Sequence, residues 1–460
     1  MPRAPPRGIV PSMPRFLIAT LPADGHLSPL LPLARELTAR AHDVFWMTGP
    51  TRRARVEATG AAFLPFIDAW DLDFGGLDER FPARAEAKGV ARFKHDMREI
   101  FIKMVPDQIA DLQRHVANAQ PDLLIVEPSF GAAAAAIEEQ TGLPWATFGI
   151  GALMMPSPDA PPFGLGLRPL RHGVLNRARN TVLNTLIDRT LFRSIEGDYR
   201  AMCAGVGITP NPGGLFATAL SPHLYLHPSV PSFEFPRGNL PAQVCHVGPH
   251  LPAAPANVEL PQWWGEMVAD ERPVVLVTQG TVATDPAELL LPTLNALAHE
   301  PVQVIAVTGG PDPSSLPSAP ANARVERYIP FAALMPHADV YVTNGGYGGL
   351  HFAMSHGVPI LSAGSTEDKA DLAARVDWSG VGIGMRAQYA QPAKLRAAVR
   401  RLLDEDAFRA RATQVADEMA AYDGPARASE LVEALAQRRR PGAYAAAGAG
   451  AAGAFAGASS

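Results

Sequence analysis

Short apolar runs alternate along this chain with longer stretches in which apolar positions recur every three or four residues. Arg15, Phe16, Leu17, Ile18, Ala19 and Thr20 read as a buried strand. Residues 29–40 then place Leu30, Leu33, Ala34 and Leu37 on one helical face, and Val44, Phe45, Trp46 and Met47 return to strand. This is a strand–helix–strand opening, which implies a parallel sheet covered by helices. Leu123 to Val126, an alanine-rich helix at 131–140 and Trp145 to Phe148 repeat it. After a proline-dense interval it restarts, with strands at 274–278 and 302–307 around a helix at 286–299, then Val340 to Val342 and Ile360-Leu361.

The pattern predicts an α/β chain of two consecutive doubly wound domains with a cleft between them. The expected divisions are a flexible start (1–14), a first Rossmann-like domain (15–235), a linker (236–261), a second Rossmann-like domain (262–436) and a disordered tail (437–460). The tail reading rests on residues 445–460, which are Ala, Gly and Ser apart from Phe455.

Composition narrows the classes. At 460 residues the chain has room for two cores, and 47% of it is hydrophobic. A net charge of −5 gives no basic face for nucleic acid. Cys203 and Cys245, the only cysteines, are read as reduced thiols rather than a disulfide framework or a zinc site. No apolar run reaches the length of a membrane span, and the start lacks a secretory signal's apolar core, so a cytoplasmic setting is expected.

The chemistry concentrates in Asn344-Gly345-Gly346-Tyr347-Gly348-Gly349, between a strand and a helix expected over 350–355. Glycines let backbone N–H groups approach phosphate oxygens, and the helix start favours their charge. Downstream, Glu367-Asp368-Lys369 sits where a second part of the same ligand could be read. In the first half, Gly25-His26 occupies the turn after the first strand, where histidine suits proton removal near neutral pH; a helix-capping histidine is the alternative. Asp71-Leu72-Asp73 has a metal-binding spacing but lies far from the glycine turn, and no metal is expected.

Asn344, Gly346, Gly348, Gly357, Pro359 and Asp368 keep the spacing of the donor signature of family 1, the UDP-glycosyltransferase-like enzymes, which the chain resembles. The resemblance implies the GT-B fold and a nucleotide diphosphate sugar (UDP- or dTDP-linked) as donor, with no further cofactor. Gly25-His26-Leu27-Ser28-Pro29 looks like the family's general-base segment, which makes His26 the expected base. Pro121-Asp122 opens and Glu127 closes a run whose last residue in the family is usually Asp, the partner of that base. Gly280 and Thr281 match a second phosphate turn; Tyr328 and Ile329 match the position where the nucleobase is held. Asp368 is expected to accept from sugar hydroxyls.

Four positions depart from the family: Asn344 for His, Gly349 for Ser or Thr, Phe352 for Glu, and Lys369 for Gln. Phe352 leaves the usual ribose contact without its carboxylate. Lys369 can only donate, so either the donor is a deoxysugar or one with another hydroxyl pattern, or Lys369 pairs with Glu367. The apolar stretches 154–170 and 93–104 suggest a hydrophobic acceptor, a natural product or lipid. The expected activity is metal-independent, inverting O-glycosyl transfer. The alternatives are a nucleotide-sugar 2-epimerase-like enzyme and a non-catalytic nucleotide-sugar-binding protein.

Overall fold

The structure, a computed structural model, describes residues 13–71, 76–252, 259–279, 285–310, 312–364 and 368–438. Thirteen strands form two all-parallel sheets among the described residues. The first holds β1 (Arg15–Ala19), β2 (Asp43–Thr48), β3 (Ala62–Pro65), β4 (Leu123–Val126), β5 (Trp145–Phe148), β6 (Tyr225–His227) and β7 (Val244–His246), in the order β3-β2-β1-β4-β5-β6-β7. The second holds β8 (Val274–Thr278), β9 (Gln303–Val307), β10 (Ala323–Glu326), β11 (Val340–Thr343), β12 (Ile360–Ala363) and β13 (Gly382–Met385), in the order β10-β9-β8-β11-β12-β13.

Both sheets are buried on both faces, which is why their strands read as continuous apolar runs. In the first, Leu17, Ala19, Met47, Leu124 and Val126 face one core, while Phe16, Ile18, Trp46, Leu123 and Ile125 face the other. The second is divided in the same way. Each sheet winds outward from its first strand in both directions. The order therefore reverses between β1 and β4, and again between β8 and β11, and a crevice opens at the carboxyl ends there.

The structure corrects the expected divisions. Residues 236–261 are not only linker: β7 lies inside them and pairs with β6, Tyr225 opposite Val244. Two three-residue strands in a proline-dense stretch leave no alternation to read. The second half also does not end in its own lobe. Ala428, Val432 and Ala436, on the helix Gly424–Arg438, join the first sheet's core beside Leu30 and Leu37, and Glu433 lies 2.8 Å from His42. An apolar face on a final helix must be covered, and here the first lobe covers it. Cys203 and Cys245 are free. Among the described residues no helix is long and apolar enough to cross a membrane.

Candidate active site

His26 lies in the short helix Asp24–Leu27 that follows β1, and Glu127 directly follows β4. These strands are neighbours at the first sheet's reversal point, so two residues a hundred positions apart meet. His26 Nδ1 is 3.3 Å from Glu127 Oε1. The Glu127 side chain is fully buried, while that of His26 keeps 21% of its surface exposed. Glu127 also accepts the N–H of Ser129 at 2.9 Å and that of Leu21 at 3.4 Å. Backbone donors thus fix the carboxylate, and the carboxylate faces one ring nitrogen of His26. The other, Nε2, lies on the far side of the ring. Such an arrangement suits an imidazole that takes a proton at Nε2 while a carboxylate steadies the resulting charge.

Asp24, beside this histidine, is held by Arg55 at 2.5 Å and Arg52 at 3.2 Å. Asp71 accepts from the Thr51 hydroxyl at 3.4 Å; Asp73 lies outside the described residues. Among the described residues no three His, Cys, Asp or Glu side chains gather as a metal site.

At the second reversal point β11 runs into Asn344, Gly345 and Gly346, and the helix Tyr347–Ser355 begins at once. It starts three residues earlier than its apolar pattern predicts. Gly345 makes the turn with φ +100°, a conformation that side chains disfavour. Gly346 is the N-cap, and the first intrahelical bond runs from Leu350 N–H to the Gly346 carbonyl at 3.1 Å. The N–H groups of Tyr347, Gly348 and Gly349 therefore precede the helix ladder and can meet an anion. Gly346 and Gly348 are exposed, and a Cβ on either would enter open space. Gly349 differs: its Cβ would lie 2.4 Å from the Tyr341 hydroxyl, so packing alone demands glycine there.

Asn344 is buried, and its side-chain amide donates to the Gln279 carbonyl across the reversal point. It braces the end of β8, a contact that no local sequence pattern signals. Gly280 and Thr281, next in that turn, lie outside the described residues, as does Glu367. Tyr328 is 71% exposed, while Ile329 is buried. The Phe352 ring packs 5.7 Å from that of Phe331, an apolar contact in place of the family's carboxylate. Asp368 is the N-cap of the helix Lys369–Ser379 and faces the other lobe, 3.7 Å from where a Cβ on Gly151 would stand. Lys369 is buried against Gly345 and Gly364.

Residues 288–435 match the family model described as Erythromycin biosynthesis protein CIII-like, C-terminal domain. The chain is 44% identical to a 4'-demethylrebeccamycin synthase of Lentzea aerocolonigenes, over 92% of this chain and 99% of that protein. The chain belongs to the family 1 glycosyltransferases. It is also 29% identical to a UDP-glucosyltransferase A1 of Starmerella bombicola, over 92% of each chain. The structure of the glycosyltransferase VinC in complex with DTDP superposes with a TM-score of 0.65 at 23% identity, covering 92% of this chain and all of that one. This glycosyltransferase of natural-product type therefore has the GT-B fold, and it uses a nucleotide-sugar donor.

One part of the glycosyltransferase escaped the sequence reading. Between the lobes, the buried Glu234 carboxylate lies 3.1 Å from His227 Nε2 and accepts from Arg375 Nε at 3.0 Å. Burial by itself would push this carboxyl up, but Arg375 and His227 more than reverse that and hold it well below the usual range. The Tyr347 hydroxyl, on the first residue of the glycine-rich helix, is 3.5 Å from His227. One turn on, His351 donates from Nδ1 to the Tyr347 carbonyl at 2.9 Å, so its neutral ring accepts at Nε2 from the Ser229 hydroxyl, also 2.9 Å away. The helix expected to bind phosphate is thus anchored to the opposite lobe. No spacing signals this, because the partners come from β6, the proline-dense stretch and two separate helices.

Proposed function

We propose that this glycosyltransferase moves a hexose or deoxyhexose from a nucleotide diphosphate sugar to a hydroxyl of a hydrophobic natural product or lipid, with inversion and without a metal. The observation that carries this reading is His26 Nδ1 at 3.3 Å from a buried, backbone-held Glu127. His26 Nε2 takes the acceptor's hydroxyl proton as that oxygen attacks the anomeric carbon. The bond from that carbon to the diphosphate oxygen breaks, and the nucleoside diphosphate leaves with the electron pair. A single displacement from the opposite side inverts the anomeric centre. Glu127 stabilises the imidazolium.

The N–H groups that open the helix Tyr347–Ser355 would carry the leaving charge, which makes a metal unnecessary on this reading. Gly280 and Thr281 would add to the phosphate site, Tyr328 would stack on the base beside Ile329, and Asp368 would accept from the sugar. The first lobe is the acceptor lobe and the second the donor lobe. The relatives' names and contents favour a UDP- or dTDP-linked sugar: one is a UDP-glucosyltransferase, and another is solved with DTDP.

The test is incubation with a panel of UDP- and dTDP-sugars and apolar hydroxylated acceptors in the presence of a chelator. Glycoside of inverted configuration, read by NMR, is the expected product. Retained configuration, or dependence on added divalent ion, overturns the mechanism. Free epimerised nucleotide sugar would mark an epimerase, and binding without turnover a non-catalytic relative.

A further inference from the structure

The helix Gly173–Ile187 is built inside out. Its inward face is polar: Asn176 and Asn180 are buried, and Asn184 follows one turn on. These asparagines hold the 157–170 loop. The Asn176 amide donates to the Asp159 carbonyl at 2.6 Å and accepts the Leu170 N–H at 2.9 Å. The Asn180 amide donates to the Pro158 carbonyl at 3.0 Å, and that of Asn184 to the Ser157 carbonyl at 3.4 Å.

The outward face is apolar. Leu175, Val182 and Leu186 are 61%, 66% and 56% exposed, with exposed Ala178 between them. At helical spacing these four positions fall within an arc of about 80°. Val174, at the start of the same helix, is 83% exposed. A contiguous apolar stripe in water marks an interaction surface.

The surrounding charge says what the surface fits. Residues 171–193 contain five arginines and a single acid, Asp188, within a chain whose net charge is −5. Arg171 precedes the helix, and Arg189 and Arg193 follow its last turn, all three exposed. An apolar stripe with cations at both ends suits an anionic surface. A second copy fits poorly, because a two-fold axis would set Arg171 of one helix against Arg189 and Arg193 of the other.

We propose that this helix docks on an anionic lipid bilayer, with Leu175, Val182 and Leu186 entering the acyl boundary and Arg171, Arg189 and Arg193 meeting lipid phosphates. Docking would leave the asparagine-held 157–170 loop behind the helix, about one helix diameter from the bilayer. The proposal is independent of the transfer chemistry.

Cosedimentation of the full chain with vesicles of phosphatidylcholine, alone or mixed with phosphatidylglycerol, tests it. The expected result is binding to the mixed vesicles that weakens at about 0.5 M NaCl. The double variant Leu175→Glu/Leu186→Glu should bind at least about tenfold more weakly. Its melting temperature and its turnover of a water-soluble acceptor should not change. If that variant misfolds, Arg189→Gln/Arg193→Gln reads the charge contribution alone and should also bind more weakly. Wild-type protein that ignores phosphatidylglycerol vesicles at low salt overturns the proposal, and so does undiminished binding by a folded variant. A wild-type dimer that the double variant splits would assign the stripe to a second copy, which also overturns it.

Discussion

His26 is an ordinary helix-turn histidine until Glu127 stands beside it. With Nδ1 facing a buried carboxylate, its ring leaves Nε2 for the acceptor hydroxyl in the mechanism proposed above. His26→Ala should lower the transfer rate about 10²–10⁴-fold while leaving nucleotide diphosphate affinity unchanged in calorimetry. A parallel loss of donor binding would remove His26 from the role of base. The glycines make a second residue-scale contrast. Gly349→Ala drives a methyl against the Tyr341 hydroxyl, itself bonded to Thr278 at 3.0 Å, and should cost about 1–3 kcal/mol in denaturant unfolding. Gly348→Ala meets open space, so stability should hold while nucleotide diphosphate affinity falls. Unchanged affinity in that variant would place the phosphates elsewhere.

At the scale of elements, the helix Lys369–Ser379 links the two lobes. Asp368 is its N-cap residue, and in its first turn the buried Asp371 carboxylate accepts the Gly164 N–H from the other lobe at 2.7 Å. Burial pushes the Asp371 carboxyl up, against the pull of Arg375 and of the Gly164 and Gly166 N–H groups. Gly166 itself lies so close to Ala370 and Arg386 that a Cβ would meet both at 2.8 Å. The expected acceptor loop is thereby clasped to the helix expected to read the sugar. Asp371→Asn should raise the acceptor KM roughly tenfold while the donor KM changes little. Equal changes in both, together with a lower melting temperature, would reduce Asp371 to general packing.

Strands buried on both faces, such as β4, β5 and β8, were legible because their apolar runs are continuous. β6 and β7 were not: three residues each, they are strands by virtue of their neighbours. The helix at Tyr347 also began earlier than its pattern, since Gly348 and Gly349 carry no apolar signal.

For the whole molecule, acid should loosen the seam between the lobes. Burial lowers His351 to about 4, and His250, against Phe148, likewise to about 4. The unfolded chain takes up protons near pH 6.5 and the folded one does not. The stability these neutral rings represent is therefore complete above about pH 6.5 and is lost as pH falls toward 4, each on the order of 3 kcal/mol. Thermal melts should be flat above neutrality and drop through that window. A melting temperature constant down to pH 4 would show that both rings protonate in place. Glu234, held low by its partners, keeps its contribution to still lower pH.

By itself the chain determined two parallel α/β halves, a glycine-rich turn opening a helix and a histidine after the first strand. These depend on local periodicity and on turn chemistry, which neighbouring residues specify. Tertiary structure alone decided that Glu127 reaches His26, that Asn344 braces Gln279, that the final helix returns to the first lobe, and that Glu234, His227 and Arg375 share one buried seam. Those contacts join positions separated by 65 residues or more, or lie where prolines erase any period. Only the order in which strands pair brings them together.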